Sequence, residues 1–233
     1  MFKHKKDIFF DLDHTIWDFD RNAQETLKDL YFSYQFDQLF NQPTADLFLS
    51  TYTRNNHQVW DLYHHGKIDK ETLRKLRFAN TFIELGVDPV LFPLDFEEEY
   101  LEICPTKTNL FPDAHETLGY LQQRYRLHLI TNGFKEACEK KLLHSNLSPY
   151  FKTIVISELV GVNKPHPQIF EYALNNAEAQ KNFSIMIGDN IDADVRGAQK
   201  FGMEAIYFNP LGIEKPNDIS HSIASLKELQ DLF

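Results

Sequence analysis

The sequence predicts an α/β fold, with a doubly wound parallel sheet as the core and an α-helical cap domain inserted into it. Five apolar segments have the length of buried strands, at residues 7–10, 127–130, 153–156, 184–187 and 205–208. The last four alternate with helical stretches, which is typical of right-handed βαβ units whose parallel sheet is covered by helices on both faces. The first segment is far from the others, so the intervening chain is predicted to be an insertion into a Rossmann-like core.

The insertion is predicted to be helical and to cover residues 18–100. Apolar and aromatic residues recur there at near-helical spacing, at Phe48, Tyr52, Val59, Trp60, Tyr63, Leu73, Leu76, Phe82 and Leu85. A helix beginning near Pro112 and Asp113 is expected to return the chain to the core, because proline and acidic residues favour the first turn of a helix. The core domain is therefore predicted to comprise residues 1–17 and 101–233. Ser225 and Glu228 form a capping-box pattern for a short last helix.

The charge of the chain excludes one class of partner. The sequence has 24 Lys and Arg against 34 Asp and Glu, a net charge of −10. A protein that binds a nucleic acid polymer presents a basic surface to the phosphates, so no such partner is expected. The apolar run Ile8–Phe10 is too short for a signal or membrane segment. The protein is expected to be cytoplasmic, with no membrane partner and with Cys104 and Cys138 as reduced thiols.

Two carboxylates follow the first strand directly, at Asp11 and Asp13. In an open α/β sheet, ligands bind beyond the carboxyl ends of the strands. Residues two apart in extended chain point to the same side, so both carboxylates can face one site. One would serve as nucleophile or metal ligand and the other as proton donor and acceptor. The alternative is a structural role in a turn or a helix cap, where Asp is common.

Carboxylates also follow the strand at residues 184–187, at Asp189, Asp192 and Asp194. Oxygen-rich sites suit Mg²⁺, and Asp11, Asp189 and the main-chain carbonyl of Asp13 could provide its ligands. Asp194 is expected to support these ligands or to replace one of them. Asp192 is predicted instead to cap the helix that follows.

Two further segments could bind an anion. Thr131, Asn132 and Gly133 follow the strand at 127–130, where a hydroxyl and free backbone N–H groups at a helix start can hold a phosphate. Lys164 lies between a strand and a helix that begins with Pro167, and its ammonium could neutralise a phosphate and the clustered carboxylates. Taken singly, the first segment is an ordinary turn and the lysine is a surface group. Their interpretation as an anion site therefore depends on the carboxylates described above.

In this order, the four segments resemble the four sequence motifs of the haloacid dehalogenase-like (HAD) hydrolase superfamily. The motifs match as Asp11-x-Asp13-x-Thr15, Thr131-Asn132, Lys164-Pro165, and Gly188-Asp189 with Asp194 five residues on. The resemblance covers the whole chain and implies that the insertion is the helical C1 cap of the family. Most members have glycine where this chain has His14, an exchange expected to alter the backbone turn and the pocket rather than the chemistry.

The resemblance implies a Mg²⁺-dependent phosphomonoester hydrolase. Asp11 would attack phosphorus to give an aspartyl-phosphate, while Asp13 would protonate the leaving oxygen and later deprotonate the hydrolytic water. Thr131, Asn132 and Lys164 would bind the phosphoryl oxygens, with Lys164 counted among the catalytic residues. Dehalogenases of the superfamily generally lack the second carboxylate of the first motif, so Asp13 favours a phosphatase.

The run from Phe9 to Asp20 resembles the bacterial pyrimidine 5′-nucleotidases of this superfamily. This narrower resemblance implies that the substrates are nucleoside monophosphates such as UMP, dUMP and dTMP. Trp17 and Phe19 would then stack on a base or, as an equal alternative, pin the cap to the core. A sugar-phosphate phosphatase, a phosphomutase of the β-phosphoglucomutase type and a catalytically silent binding module remain as alternatives. The sequence does not indicate an oligomeric state.

Overall fold

The computed structural model describes residues 1–39 and 43–233 of the chain. The chain forms two compact units, one comprising Met1–Phe19 and Thr108–Phe233, the other Asp20–Lys107. We call them the core unit and the cap unit. The cap predicted from sequence, residues 18–100, is shorter than the observed unit, and its predicted end falls inside the helix Phe96–Ile103. That helix continues in the cap unit because its buried residues, Phe96 and Tyr100, pack on the aromatic side chains there.

The core unit is built on a six-stranded parallel sheet. The strands are β1 (Asp7–Phe10), β2 (Arg126–Thr131), β3 (Phe151–Ile156), β4 (Ser184–Gly188), β5 (Glu204–Phe208) and β6 (Ser222–Ile223). Their order is β3-β2-β1-β4-β5-β6, so the chain winds outwards in both directions from β1 and the predicted doubly wound fold is confirmed. The strand β6 was not predicted, because two residues are too few for an apolar pattern to show.

Helices cover the sheet of the core unit and bury its apolar side chains. The α-helices are Ala114–Leu121, Lys135–His144, Ser157–Val160, Pro167–Asn176, Gly197–Phe201 and Leu229–Leu232, with a π-helical turn at Ile191–Arg196 and 3-10 turns at Ser148–Tyr150, Lys181–Phe183 and Leu226–Glu228. Phe9 of β1 and Met186 of β4 lie in one buried cluster with Phe170. The predicted capping box of Ser225 and Glu228 is formed. Because β1 pairs in parallel with both β2 and β4, the carboxyl ends of these three strands lie side by side.

The cap unit is helical, as its apolar periodicity predicts. Its α-helices are Phe36–Leu39, Ala45–His64, Lys70–Glu84 and Phe96–Ile103, preceded by Phe19–Ser33 and accompanied by 3-10 turns at Pro89–Leu91 and Cys104–Thr106. Thr44 and Asp69 cap two of these helices by accepting hydrogen bonds from backbone N–H groups. The rings of Phe36, Phe48 and Phe96 pack with centroids 5.3 to 6.1 Å apart. Among residues 1–39 and 43–233, no helix combines the length and the apolar character that crossing a membrane requires.

Candidate active site

Asp11 stands at the carboxyl end of β1, in the middle of the sheet. Its N–H donates to the carbonyl of Ile187 at 2.9 Å, which continues the ladder between β1 and β4 past the last strand residue. Its carboxylate is buried and lies 2.5 Å from Lys164 Nζ. Burial raises the pKa of Asp11 well above its ordinary value, with Lys164 opposing the shift and Asp194 and Asp189 adding to it. The end of β1 thus places the Asp11 carboxylate beside charged side chains and away from solvent.

Lys164 connects three segments that are far apart in sequence. Its Nζ contacts Asp11 Oδ1 at 2.5 Å, Asp194 Oδ1 at 2.7 Å and the carbonyl of Ile130 at 2.7 Å. Burial alone would lower the pKa of this lysine, but the two carboxylates outweigh burial and raise the pKa above its ordinary value. Lys164 is therefore a fully buried ammonium, not the surface group that an isolated lysine usually is.

Asp189 and Asp194 come from the end of β4 and the π-helical turn after it. The hydroxyl of Thr15 donates to Asp189 Oδ1 at 3.2 Å and accepts from the N–H of Asp189 at 3.1 Å, which ties the loop after β1 to the end of β4. Asp194 packs directly over Gly188, where a Cβ atom would lie 2.2 Å from Asp194 Oδ2. Only glycine at residue 188 allows the Asp194 carboxylate to reach the site.

The predicted helix cap at Asp192 is wrong. The N-cap of the turn is Asn190, whose side-chain oxygen accepts from the N–H groups of Asp192 and Ala193. Asp192 lies in the first turn with its carboxylate exposed and paired with Arg196 at 2.9 Å. Asn and Asp are about equally favourable as N-cap residues, so residue type does not decide between Asn190 and Asp192. The backbone does, because Asn190 is the last residue with extended backbone before the turn.

The cluster of Asp11, Asp189 and Asp194 fits a divalent cation. One carboxylate oxygen from each residue lies within 4.8 Å of the others. Burial raises the pKa of Asp189 to about 8, and the neighbouring Asp194 adds to the shift. The ionised forms of Asp11 and Asp189 are unfavourable in this site, a cation would offset their charge, and Mg²⁺ takes oxygen ligands of this kind. The donor set and the charge deficit therefore match the predicted metal.

Asp13 points to a different partner from Asp11. Lys141 Nζ contacts both of its carboxylate oxygens, at 2.6 Å and 2.9 Å. Sequence reasoning missed Lys141, although a signal existed: it lies on the buried stripe of the helix Lys135–His144, three residues after the buried Cys138 and next to the buried Leu142. A lysine in the apolar stripe of a helix indicates a buried anionic partner.

His14 lies in the loop between Asp13 and Thr15, at a residue with an unusual backbone conformation. Its φ angle is 61°, in the left-handed region that favours glycine. Histidine thus stands in a backbone conformation that glycine takes readily, and the effect of His14 on the turn stays a prediction. Its ring lies against Phe19, with centroids 5.1 Å apart.

Of the phosphate-binding candidates, Thr131 is the last residue of β2 and Asn132 is the next residue, and both are buried. The hydroxyl of Thr131 accepts from the N–H of Gly133 at 3.0 Å. The side chain of Asn132 is held on the backbone of Lys164, where it accepts from the N–H at 2.8 Å and donates to the carbonyl at 2.9 Å, and its contact with a phosphoryl oxygen stays a prediction. Asn132 thus orients the segment that carries Lys164.

Trp17 does not offer its ring to a base. The indole is fully buried, and Lys141 Nζ lies 4.3 Å from the centre of one of its rings. The backbone around it is bound within the core unit, because the N–H of Phe111 donates to the carbonyl of Ile16 and that of Asp18 to the carbonyl of Asn109. The hypothesis that Trp17 stacks on a nucleobase is not supported by this position.

The chain is similar to known proteins over almost its whole length. Pyrimidine 5′-nucleotidase YjjG of Escherichia coli strain K12 is 32% identical over 97% of this chain and 96% of its own length. Pyrimidine 5′-nucleotidase PynA of Streptococcus pneumoniae is 29% identical over 97% and 94%. The crystal structure of the putative HAD-hydrolase YfnB from Bacillus subtilis bound to magnesium matches with a TM-score of 0.86 and 27% identity, over 98% of both chains. The model of the haloacid dehalogenase-like hydrolases matches residues 6–202, and the chain belongs to this hydrolase family.

Proposed function

We propose that the protein is a Mg²⁺-dependent phosphomonoester hydrolase that forms an aspartyl-phosphate on Asp11. The observation that carries the proposal is the cluster at the carboxyl ends of β1 and β4. A buried carboxylate, Asp11, is held 2.5 Å from a buried ammonium, Lys164, beside two further carboxylates. Asp13, a second carboxylate able to transfer protons, follows two residues later.

In the first step an oxygen of Asp11 would bond to phosphorus while the ester P–O bond breaks. The leaving oxygen would take a proton from Asp13. In the second step a water oxygen would attack the same phosphorus and lose a proton to Asp13, and the bond between Asp11 and phosphorus would break to release inorganic phosphate.

Asp11, Asp189 and the main-chain carbonyl of Asp13 are the proposed Mg²⁺ ligands, with Asp194 supporting them through Lys164. The ion would neutralise the repulsion between the Asp11 carboxylate and the phosphate dianion. Lys164 and the hydroxyl of Thr131 would bind phosphoryl oxygens and stabilise the charge of the transition state. In this scheme the side chain of Asn132 positions Lys164 through the two hydrogen bonds described above.

We further propose that the substrates are pyrimidine nucleoside 5′-monophosphates such as UMP, dUMP and dTMP. The support is the naming of two relatives that align with nearly the whole chain as pyrimidine 5′-nucleotidases. A small phosphorylated metabolite also agrees with the net charge of −10, which disfavours a polyanionic partner. The alternatives are a sugar-phosphate phosphatase and a phosphomutase that returns the phosphoryl group to the substrate.

The test is a screen of phosphate esters with the purified protein in Mg²⁺ and, in parallel, in EDTA. We expect release of inorganic phosphate from UMP, dUMP and dTMP, slower release from purine monophosphates and sugar phosphates, and none in EDTA. Preference for a sugar phosphate would contradict the nucleotidase proposal while leaving the hydrolase mechanism intact. Conversion of a sugar phosphate to its isomer without phosphate release would favour the mutase.

A further inference from the structure

The ion pair between Lys141 and Asp13 has no place in the mechanism given above. Lys141 comes from the middle of the helix Lys135–His144, whereas Asp13 lies in the loop after β1. Both oxygens of Asp13 are within 2.9 Å of the same ammonium nitrogen. Such a two-point contact leaves the carboxylate little freedom to rotate, because turning it would break at least one charge-assisted hydrogen bond.

The ammonium of Lys141 is itself held in place. Its nitrogen lies 4.3 Å from the Trp17 ring and 5.3 Å from the Phe19 ring, both within reach of a cation–π attraction. The side chain of Lys141 is 6% exposed, while that of Asp13 is 21% exposed. Lys141 is thus almost fully buried, whereas part of the Asp13 carboxylate remains exposed to solvent.

The two carboxylates of the first motif therefore have separate lysines. Lys164 contacts Asp11 and Asp194 within the buried cluster, whereas Lys141 contacts Asp13. Lys141 contacts both oxygens of its carboxylate, whereas Lys164 contacts one oxygen of Asp11. The separation matters because Asp11 has to reach phosphorus, while Asp13 has to reach the leaving oxygen and then the water.

We propose that Lys141 is a positioning residue that fixes the Asp13 carboxylate for proton transfer. The proposal rests on the proposed phosphatase function and deepens it. Lys141 contacts the oxygens of Asp13 and, in this proposal, acts only through them. It acts by holding one carboxyl oxygen of Asp13 while the other oxygen carries the proton to the leaving oxygen, and displacing a catalytic group by about 1 Å can cost about 100-fold in rate.

The test compares two esters with different leaving groups, UMP and p-nitrophenyl phosphate, in wild type and Lys141→Met. The alkoxide that leaves from UMP needs a proton, whereas p-nitrophenolate leaves without one. We expect kcat/KM for UMP to fall between about 10-fold and 100-fold, and kcat/KM for p-nitrophenyl phosphate to fall less than about threefold. Lys141→Arg should restore most of the loss, because a guanidinium also binds both oxygens of a carboxylate.

Two controls separate positioning from folding. Lys135→Met removes an exposed ammonium from the same helix and should leave both rates unchanged. In the Asp13→Asn background, adding Lys141→Met should cost nothing further with UMP, since residues that act through one another are not additive. If Lys141→Met does not give the native circular dichroism spectrum, Lys141→Gln, which keeps a polar end, takes its place.

Equal losses with the two esters would overturn the proposal and leave Lys141 with a purely structural role. No loss, an additive loss in the Asp13→Asn background, or failure of Lys141→Arg to restore the rate would also overturn it. Wild-type turnover of the esters separates the two proposals. If the wild type hydrolyses neither ester, the phosphatase function and the role of Lys141 fall together, whereas turnover with an unchanged ratio sinks only the role of Lys141.

Discussion

The two ends of strand β1 each carry a buried aspartate, and the two carboxylates differ in how their charge is compensated. Asp7, at the amino end, lies 2.6 Å from Arg126 Nε and 3.1 Å from His128 Nε2. Burial raises its pKa, but the hydrogen bonds from His128 and Arg126 outweigh burial, and its pKa is lowered from 3.8. Asp11, at the carboxyl end, shares Lys164 with Asp194, and its pKa is raised.

The difference separates a carboxylate that stabilises the fold from one available for chemistry. At the amino end the charges are matched, so the ionised Asp7 is favourable in the native state. At the carboxyl end three carboxylates lie around one lysine, which contacts Asp11 and Asp194, so the ionised form of Asp11 is unfavourable there. Burial alone does not distinguish the two aspartates, since both are fully or nearly buried; the balance of charge around them does.

The same substitution at each end of β1 tests this contrast most strongly. Asp11→Asn removes the proposed nucleophile and should lower kcat by at least about 10³-fold. The variant should be no less stable than wild type in EDTA, because the ionised form of Asp11 is unfavourable in the fold. Asp7→Asn, a matched isosteric change, should keep kcat close to wild type. Initial rates of phosphate release check both, and substantial turnover by Asp11→Asn would contradict the proposed mechanism.

The next largest effect is expected for Mg²⁺ binding at the carboxyl end. Because Mg²⁺ would bind the native state, it should stabilise the wild type, by about 2.7 kcal/mol when the ion is present at 100 times its Kd. Asp189→Asn should lose most of this gain. Asp192→Asn, which changes an exposed carboxylate paired with Arg196, should keep it. Thermal melts with and without Mg²⁺ measure the effect, and an equal gain in the two variants would place the ion elsewhere.

The sequence predicts the ends of the strands better than the contacts between them. β1 has its predicted bounds, and each of the other four predicted strands begins or ends one or two residues inside the observed strand. The contacts of Lys164 with Asp11 and Asp194 could be expected only from the order of the motifs. Lys141 was missed because its pairing with Asp13 depends on how a helix packs beside a loop, which spacing along the chain does not encode.

Two further details were beyond the sequence for local reasons. Asn190 and Asp192 are both good helix caps, so only the backbone shows that the turn starts after Asn190. The amino-end network was not predicted, because Asp7, Arg126 and His128 come from the first residues of two strands whose register becomes known only in the sheet, where Asp7 lies opposite Arg126. Charge balance between distant segments is thus a property of the fold.

Asp7→Asn should cost stability where it leaves activity intact. The substitution weakens the contacts with Arg126 and His128 in a buried place, and we expect a loss of about 1–3 kcal/mol in the free energy of unfolding. Urea denaturation at pH 7 measures this loss. An unchanged midpoint would show that the amino-end network contributes nothing and would remove the contrast drawn above.

The pH dependence of stability tests the direction in which the fold shifts the pKa of Asp7. The pKa of Asp7 is lower in the folded state than its ordinary value of 3.8. Its contribution is therefore fully present above pH 3.8 and is lost as the pH falls below 3.8 through the folded-state pKa. Wild type should lose stability in this range more steeply than Asp7→Asn, which has no proton to take up. Parallel acid denaturation curves would contradict the lowered pKa.

The smallest expected effect concerns the backbone at the carboxyl end. His14 holds a φ angle of 61°, which is unfavourable for residues other than glycine. In His14→Gly, relief of this strain is opposed by the greater freedom of glycine in the unfolded chain, so the net change should stay within about 1 kcal/mol. Asn146→Gly, at a φ of 52° on the core unit, is the matched control and should behave alike.

Activity separates the two glycine variants if the histidine side chain serves the reaction. Since the backbone of His14 already has the conformation of a glycine, His14→Gly should leave Asp11 and Asp13 in place and keep kcat within about threefold of wild type. A large fall in kcat at unchanged stability, absent in Asn146→Gly, would show that the imidazole contributes to catalysis. In that case the loop after β1 would carry a third functional side chain, His14, beside Asp11 and Asp13. The two ends of the strand would then differ in this side chain as well as in the charge around their aspartates.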